Sequence, residues 1–259
     1  MIDIRNITFG YRNQPPLFND FSLKIARGEI LAVIGPSGCG KTSLLYLLAG
    51  LYRPGRGAIH IDGRRQARPR PATGLILQDQ GLLPWATVKD TAALGLKIRR
   101  FYGPDGKHAP RNYEVDPGLG RQKVNDWLQR LGLDALQGHF PGQLSRGQRQ
   151  RTAIARTMTL DPDLLLMDEP FSALDAPTSE RLQELVLSLR RESNFTVVIV
   201  THRIEEAVRM GDRILVLARE TNHAPRLMDN PCGTIENTAD GDTFSRQCAD
   251  IRALLEDLT

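Results

Sequence analysis

The sequence predicts an α/β fold: a core with a mixed sheet, an antiparallel β subdomain near the N-terminus, and a helical subdomain inserted between strands. Three observations predict it. Apolar and polar residues alternate through Ile2 and Ile4, and again through Phe21, Leu23 and Ile25, the pattern of strands buried on one face. Ile30 to Gly35, Leu164 to Asp168 and Thr196 to His202 are instead nearly unbroken apolar runs, as expected of strands buried on both faces of a parallel sheet. From about Leu82 to Met158 strand signals give way to helical spacing.

The elements follow in order. Ala58 to Asp62 alternates like the first strands. Val88 to Arg99, Arg121 to Leu131 and Gly147 to Met158 have helical patterns, whereas Phe101 to Gly120 is rich in Gly and Pro and predicts a surface loop. Leu182, Leu185, Val186 and Leu189 repeat on one face of a helix from Pro177 to Arg191, and strand–helix alternation means α/β. After Leu217 the pattern loosens, then Phe244, Cys248, Ile251, Leu255 and Leu258 form one stripe within Asp242 to Leu258. The domain organisation expected is a core over residues 1–218, with the helical subdomain at about 82–158, and an extension over 219–259 ending in an amphipathic helix. No internal repeat interrupts this order.

Composition narrows the class. Of 259 residues, 41% are hydrophobic and 25% charged, enough apolar material for a sizeable core and incompatible with disorder throughout. The longest apolar stretch, Leu44 to Leu51, falls far short of the roughly 20 residues that span a bilayer. The opening residues carry Asp3 and neither a basic leader nor a small-residue cleavage site, so a cytoplasmic protein is expected. Cys39, Cys232 and Cys248 lack CxxC spacing and a His partner, against a metal cluster or disulfide framework. A net charge of +4 does not point to nucleic acid, and the basic run Arg64, Arg65, Arg68 and Arg70 is expected to be a solvated turn.

The chemistry begins at Gly35-Pro36-Ser37-Gly38-Cys39-Gly40-Lys41-Thr42, which fits G-x-x-x-x-G-K-[ST], follows the Ile30 run directly and opens the apolar helix that starts at Ser43. Backbone N–H groups that point inward at phosphate oxygens require glycines free of Cβ, and the helix N-terminus adds positive potential. Lys41 is expected to reach the β and γ phosphates and Thr42 to offer its hydroxyl to Mg2+. Cys39, beside that electropositive helix start, is expected to be a somewhat activated thiol. A phosphate loop alone leaves kinases, GTPases and ATPases open. The run Leu164 to Met167 ends in adjacent acids, Asp168 and Glu169, whose side chains point to opposite faces and so take different roles. Asp168 is the expected partner of the Mg2+ shell, and Glu169 is placed to deprotonate an attacking water.

Leu144-Ser145-Arg146-Gly147-Gln148 stands at the mouth of the helix Gly147 to Met158. Together with the phosphate loop and the acidic strand, it resembles the signature of the nucleotide-binding subunits of ABC transporters, usually LSGGQ. The resemblance covers about residues 1–218. It includes Gln78 at the end of TGLILQ, Ser172-Ala173-Leu174-Asp175 after the acidic strand, and His202 at the end of TVVIVTH.

The resemblance implies an ABC-type P-loop NTPase fold and an ATPase with ATP and Mg2+ as its ligands. It places Tyr11 against adenine, and Gly35, Pro36, Ser37, Gly38, Cys39, Gly40, Lys41, Thr42 and Ser43 around the phosphates. Glu169, His202 and Gln78 become catalytic residues, and Thr42, Gln78 and Asp168 the metal shell. Ser145, Gly147 and Gln148 would bind the ATP of a second ATP-binding subunit in a head-to-tail dimer, because the helix they open is an anion site beyond the reach of the same chain's phosphate loop.

Gly81 to Val88, GLLPWATV, resembles importers of nitrate, sulfonates and taurine. That likeness implies a transmembrane permease subunit docked on Leu82, Leu83 and Trp85, a solute-binding protein in the complex, no nucleic acid, and a peripheral place on the cytoplasmic face of the inner membrane. The alternative class is a soluble ABC-type ATPase acting in cofactor or complex assembly. Two departures stand out: Arg146 replaces the first signature glycine, and Arg203 follows His202 where the family often has Asp.

Overall fold

In a computed structural model the structure is described for residues 1–102, 117–233 and 241–258. These divide into two compact units. The first comprises residues 1–69, 166–169 and the described residues from 187 onward; the second comprises 70–165, where described, and 170–186.

The first unit opens with β1 (Ile2–Phe9) and β2 (Phe18–Ile25), joined later by β4 (Arg56–Ile61) and β5 (Arg64–Arg65) in an antiparallel sheet of order β2-β1-β4-β5. Ile2 faces Ile25 and Ile61, and Ile4 faces Leu23 and Ile59, so the alternation in the sequence places one continuous apolar face inward. All six are buried. The register slips between Ile4 and Ile7, where Asn6 adopts φ +47°, a bulge that bends β1.

β3 (Ile30–Ile34) runs parallel to both β8 (Thr196–Val200) and β9 (Arg213–Val216). Every residue of β3 and β8 is buried, which explains their unbroken apolar composition. β10 (Arg226–Asp229) adds antiparallel to β9. Leu166 to Asp168, the end of β7 (Leu164–Asp168), lies beside β8, and Glu169 N–H bonds to the Val200 carbonyl at 2.9 Å. Four strands, β6, β9, β10 and the two-residue β5, escape the sequence reading because none exceeds four residues.

Around these strands the first unit packs α1 (Lys41–Ala49) against β8. It also packs α6 (Ile204–Met210) against β3, and α7 (Gly241–Glu256) against α6 and β9. Of the predicted C-terminal stripe, Cys248 and Ile251 are buried while Phe244, Leu255 and Leu258 are half-covered.

The second unit holds β6 (Thr73–Ile76), α2 (Val88–Tyr102), α3 (Pro117–Arg130) and α4 (Arg146–Met158), with α2 packed on α3 and α4, and α4 on β6. α5 (Ala176–Ser193) contributes its first part to this unit and its end to the other. Arg70 and Asp163 form a bidentate pair at 3.0 and 2.7 Å. The surface loop predicted over Phe101 to Gly120 is corrected at both ends: Phe101 and Tyr102 continue α2, and Pro117 to Gly120 begin α3, Pro being well suited to a first helical turn. Its middle, 103–116, lies outside the described residues.

Candidate functional site

The glycine-rich segment turns directly out of β3 into α1, and its conformation depends on residues without side chains. Gly38 and Gly40 have φ of +80° and +102°, values costly for any residue with a Cβ. A Cβ on Gly35 would sit 2.5 Å from the Leu217 carbonyl oxygen. The loop is braced by residues beyond the last readable pattern: Asn222, buried, donates through Nδ2 to the carbonyls of Cys39, Leu17 and Ala218. No spacing in the sequence signals Asn222.

Lys41 is 9% exposed, and its ammonium donates to the carbonyls of Gly35 at 2.7 Å and Pro36 at 2.9 Å. The next hydroxyl, on Thr42, donates to the buried Asp168 carboxylate. Burial pushes the Asp168 carboxyl above its ordinary range, and the Glu169 charge adds to this, while Thr42 and Lys41 oppose it. Glu169 itself stands at φ +44°, a strained conformation for a side chain of its size. It sets the carboxylate against His202, whose Nδ1 lies 3.2 Å from Glu169 Oε2.

Tyr11, Ser37, Gly38, Gly40, Lys41, Thr42, Ser43 and Glu169 line one cleft of the first unit, together with Gln14 and Leu17, which the sequence reading missed. The Tyr11 and Ser43 hydroxyls are 2.8 Å apart, and Tyr11, 44% exposed, meets Phe9 and Tyr52 edge-on. Gly35, Pro36 and Cys39 form the back of the loop instead of the cleft lining. Cys39 is fully buried, and that burial raises its thiol despite Lys41 nearby. The expectation of an activated thiol is therefore corrected: desolvation of the thiolate outweighs the adjacent positive charge.

The remaining predicted residues belong to the second unit. Gln78 lies two residues past β6 and is exposed; the loop after it is held by Arg156 of α4, which donates to the carbonyls of Gly81 at 2.5 Å and Gln80 at 2.9 Å. Beyond that loop, Trp85 is 74% exposed, whereas Leu82 and Leu83 are half-buried.

Ser145 caps α4. Its hydroxyl accepts from Gln148 N–H at 3.2 Å while Gln148 Oε1 accepts from Ser145 N–H at 2.8 Å, a reciprocal capping box. Gly147 is buried against α5, where a Cβ would meet Thr178 Cγ2 at 2.8 Å. Arg146 reaches the Ala173 carbonyl at 3.3 Å, and Asp175 caps α5 through the Thr178 N–H and hydroxyl.

A second buried acid was missed altogether. Glu206 on α6 is 3% exposed, and its carboxyl is pushed up to about 7 by burial, with the Glu169 charge reinforcing this against Arg203 and Thr201.

The arrangement thus offers an anion cradle, a hydroxyl–carboxylate pair suited to a hard cation, and a carboxylate held by an imidazole. Comparison with known proteins agrees with this chemistry. The family model described as ABC transporter matches residues 18–172. The taurine import ATP-binding protein of Yersinia pestis is 39% identical over 218 residues, covering 84% of this chain and 80% of that protein. Its namesake in Pelagibacter ubique is 40% identical over 199 residues, covering 77% and 70%. Among solved structures, a dimeric ATP-binding cassette in a post-hydrolysis state bound to ADP and Pi superposes with a TM-score of 0.75 at 29% identity, covering 88% of this chain and 98% of that one.

Proposed function

The chain belongs to the ABC transporter family, and from that premise we propose that it energises a membrane importer of a small solute of the nitrate, sulfonate or taurine class. It is an ATP-binding subunit with the fold and ATPase activity of that family. The observation that carries the reading is the single cleft in which Lys41, Thr42 and Glu169 meet, with Asp168 bonded to Thr42 and His202 set against Glu169.

The geometry supports the following roles. Tyr11 offers its ring to adenine, and the loop N–H groups from Gly35 to Ser43 hold the phosphates. Lys41 exchanges its two carbonyl partners for the β and γ oxygens. Thr42 and Asp168 would hold Mg2+, which when bound would neutralise charge on those oxygens. Among the described residues no cluster of three or more acids, His or Cys is arranged for a metal, and a hydroxyl with one carboxylate suits an ion that draws its other oxygens from phosphate and water.

Glu169 accepts the proton of the attacking water as its oxygen bonds to the γ-phosphorus and the bridging electron pair leaves with ADP. With Nδ1 donating to Glu169, His202 keeps Nε2 for the γ-phosphate. Ser145, Gly147 and the Gln148-capped start of α4 complete the site of a second ATP-binding subunit in a head-to-tail dimer, so that ATP closes the pair and hydrolysis opens it. The transmembrane permease would dock at Trp85, and a solute-binding protein would deliver cargo. No described helix is long and apolar enough to cross a membrane, which fits a peripheral subunit on the inner membrane's cytoplasmic face. Residues 1–218 would form the nucleotide-binding domain, with the helical insertion at about 82–158 and residues 219–259 as an extension.

The test is hydrolysis and nucleotide affinity measured side by side. Lys41→Ala is expected to lose ATP binding. Glu169→Gln is expected to bind ATP normally and lose turnover by about 10^2- to 10^4-fold. Tight binding by the first, or wild-type turnover by the second, would overturn the assignment.

A further inference from the structure

Beside Tyr11 stands a ring that none of the roles above uses. Three of the five tyrosines of the chain, Tyr11, Tyr46 and Tyr52, gather with Phe9 in the first unit. Tyr52, half-buried, is in contact with all three of the others. It stacks on Phe9 with centroids 5.6 Å apart and planes at 19°, and meets Tyr11 and Tyr46 edge-on at 6.2 and 5.3 Å. At these separations aromatic pairs attract beyond the area they bury.

The backbone brings Tyr52 there. Gly50, at φ +75°, ends α1 in the left-handed conformation, and a Cβ on it would lie 2.7 Å from the Arg68 carbonyl oxygen. The N–H groups of Leu51 and Tyr52 then both donate to the Tyr46 carbonyl, at 2.9 and 3.1 Å, which folds Tyr52 back on the last turn of α1. Gly55 N–H bonds to the Thr8 carbonyl at 2.8 Å and ties the other end of the turn to β1, next to Phe9. Tyr11, by contrast, lies just past β1 and is 44% exposed. Its ring is oriented by side chains: its hydroxyl is 2.8 Å from that of Ser43, and Phe9 and Tyr52 meet it edge-on. Ser43 belongs to α1, as does Tyr46 against Tyr52. The Tyr11 ring is therefore anchored twice to the helix whose first turn carries Lys41 and Thr42.

We propose that Tyr52 is a positioning residue for base recognition: its ring fixes the tilt of Tyr11 relative to the start of α1, so that the base and the triphosphate of one nucleotide are received at a set separation. The proposal rests on the reading of Tyr11 as the adenine platform. Tyr52 touches no ligand itself. It takes rotamer freedom away from Tyr11 in the free protein, and a side chain ordered beforehand costs less to order on binding.

The experiment compares Mg-ATP with Mg-tripolyphosphate, which has the phosphates and lacks the base, as ligands of the full chain in calorimetry, with turnover measured in parallel. Tyr52→Leu keeps an apolar side chain and removes the ring. It is expected to weaken ATP binding roughly 3- to 10-fold, to raise KM for ATP by the same factor, and to leave tripolyphosphate affinity and kcat unchanged. Tyr52→Phe, which keeps the ring, is expected to stay within about 2-fold of the wild type. In a Tyr11→Ala background, adding Tyr52→Leu is expected to change ATP affinity no further, since the group it positions is gone.

Equal loss of ATP and tripolyphosphate would mark general damage to the site and overturn the proposal, as would a Tyr52→Leu effect that persists undiminished without Tyr11. Should Tyr52→Leu fail to fold, Tyr46→Leu removes the ring that supports Tyr52 and gives the same reading: ATP weakened about 2- to 5-fold with tripolyphosphate unaffected, whereas unchanged ATP affinity would sink the idea. If Tyr11→Ala binds ATP as the wild type does, it is the placement of adenine on Tyr11 that falls, so the two failures are distinguishable.

Discussion

A carboxyl group that is buried in the native chain and free in the unfolded one makes folding itself depend on pH, and Glu206 is such a group. Burial raises its native pKa from 4.5 to about 7, making it a weaker acid than in the unfolded chain. Below pH 4.5 it is protonated in both states and costs nothing. Between 4.5 and 7 the unfolded chain releases the proton while the native one retains it, so stability declines as pH rises, and levels off above 7. The full effect is about 3 kcal/mol. Thermal unfolding followed at pH 5 and pH 8 should therefore show the wild type losing more stability between the two than Glu206→Gln does; equal losses would mean that Glu206 ionises in the native chain as readily as in the unfolded one. Nothing in the sequence separates Glu206 from its neighbour Glu205. Seven residues of helix do not reveal which side faces β3, whereas Lys41 and Asp168 are legible because their motif fixes strand, turn and helix at once.

Elements are legible in proportion to how strongly burial dictates composition. β3, β7 and β8 are covered on both faces and read as strands from their apolar runs alone, whereas β6 and β9 are four residues each and carry too little pattern to distinguish a strand from a loop. The strand order also escapes the sequence, since β3 pairs with β8 and β9 through contacts far apart in the chain. The capping box was half legible: Ser145 and Gln148 have the right spacing, but the same spacing belongs to the signature, and only geometry shows Gln148 turned back on its own helix. One packing feature at this scale gives a clean test. Gly74 in β6 faces α4 so closely that a Cβ would lie 2.2 Å from Thr157 Cγ2 and 3.3 Å from Leu165 Cδ1. Gly74→Ala is expected to cost about 1–3 kcal/mol through overpacking, lowering the unfolding midpoint by roughly 3–10 °C for a chain of this size. Gly138→Ala, where nothing lies within 4 Å, is the control and should leave the midpoint within about 2 °C of the wild type. An unshifted midpoint in Gly74→Ala would mean that β6 and α4 can part without cost.

At the scale of the whole molecule the head-to-tail reading makes a prediction that no single chain can satisfy. Two variants remove opposite halves of the proposed site. Lys41→Ala deletes the cation of the phosphate loop. Ser145→Asp preserves the N-cap of α4, since Asp caps as well as Ser, but puts a negative charge where a γ-phosphate would approach the helix start. Each variant alone is expected to be inactive, because both sites of its homodimer carry the same defect. Mixed in equal amounts, half of the dimers pair one variant with the other. Each such dimer then has one doubly damaged site and one intact site, built from Lys41 of the Ser145→Asp chain and Ser145 of the Lys41→Ala chain. Recovery of about a quarter of wild-type turnover is expected for independent sites on a two-fold dimer, and less if hydrolysis needs both sites filled. Were Lys41 and Ser145 of one chain to serve the same nucleotide, no mixture could restore an intact site, and activity would remain at the level of the separate variants.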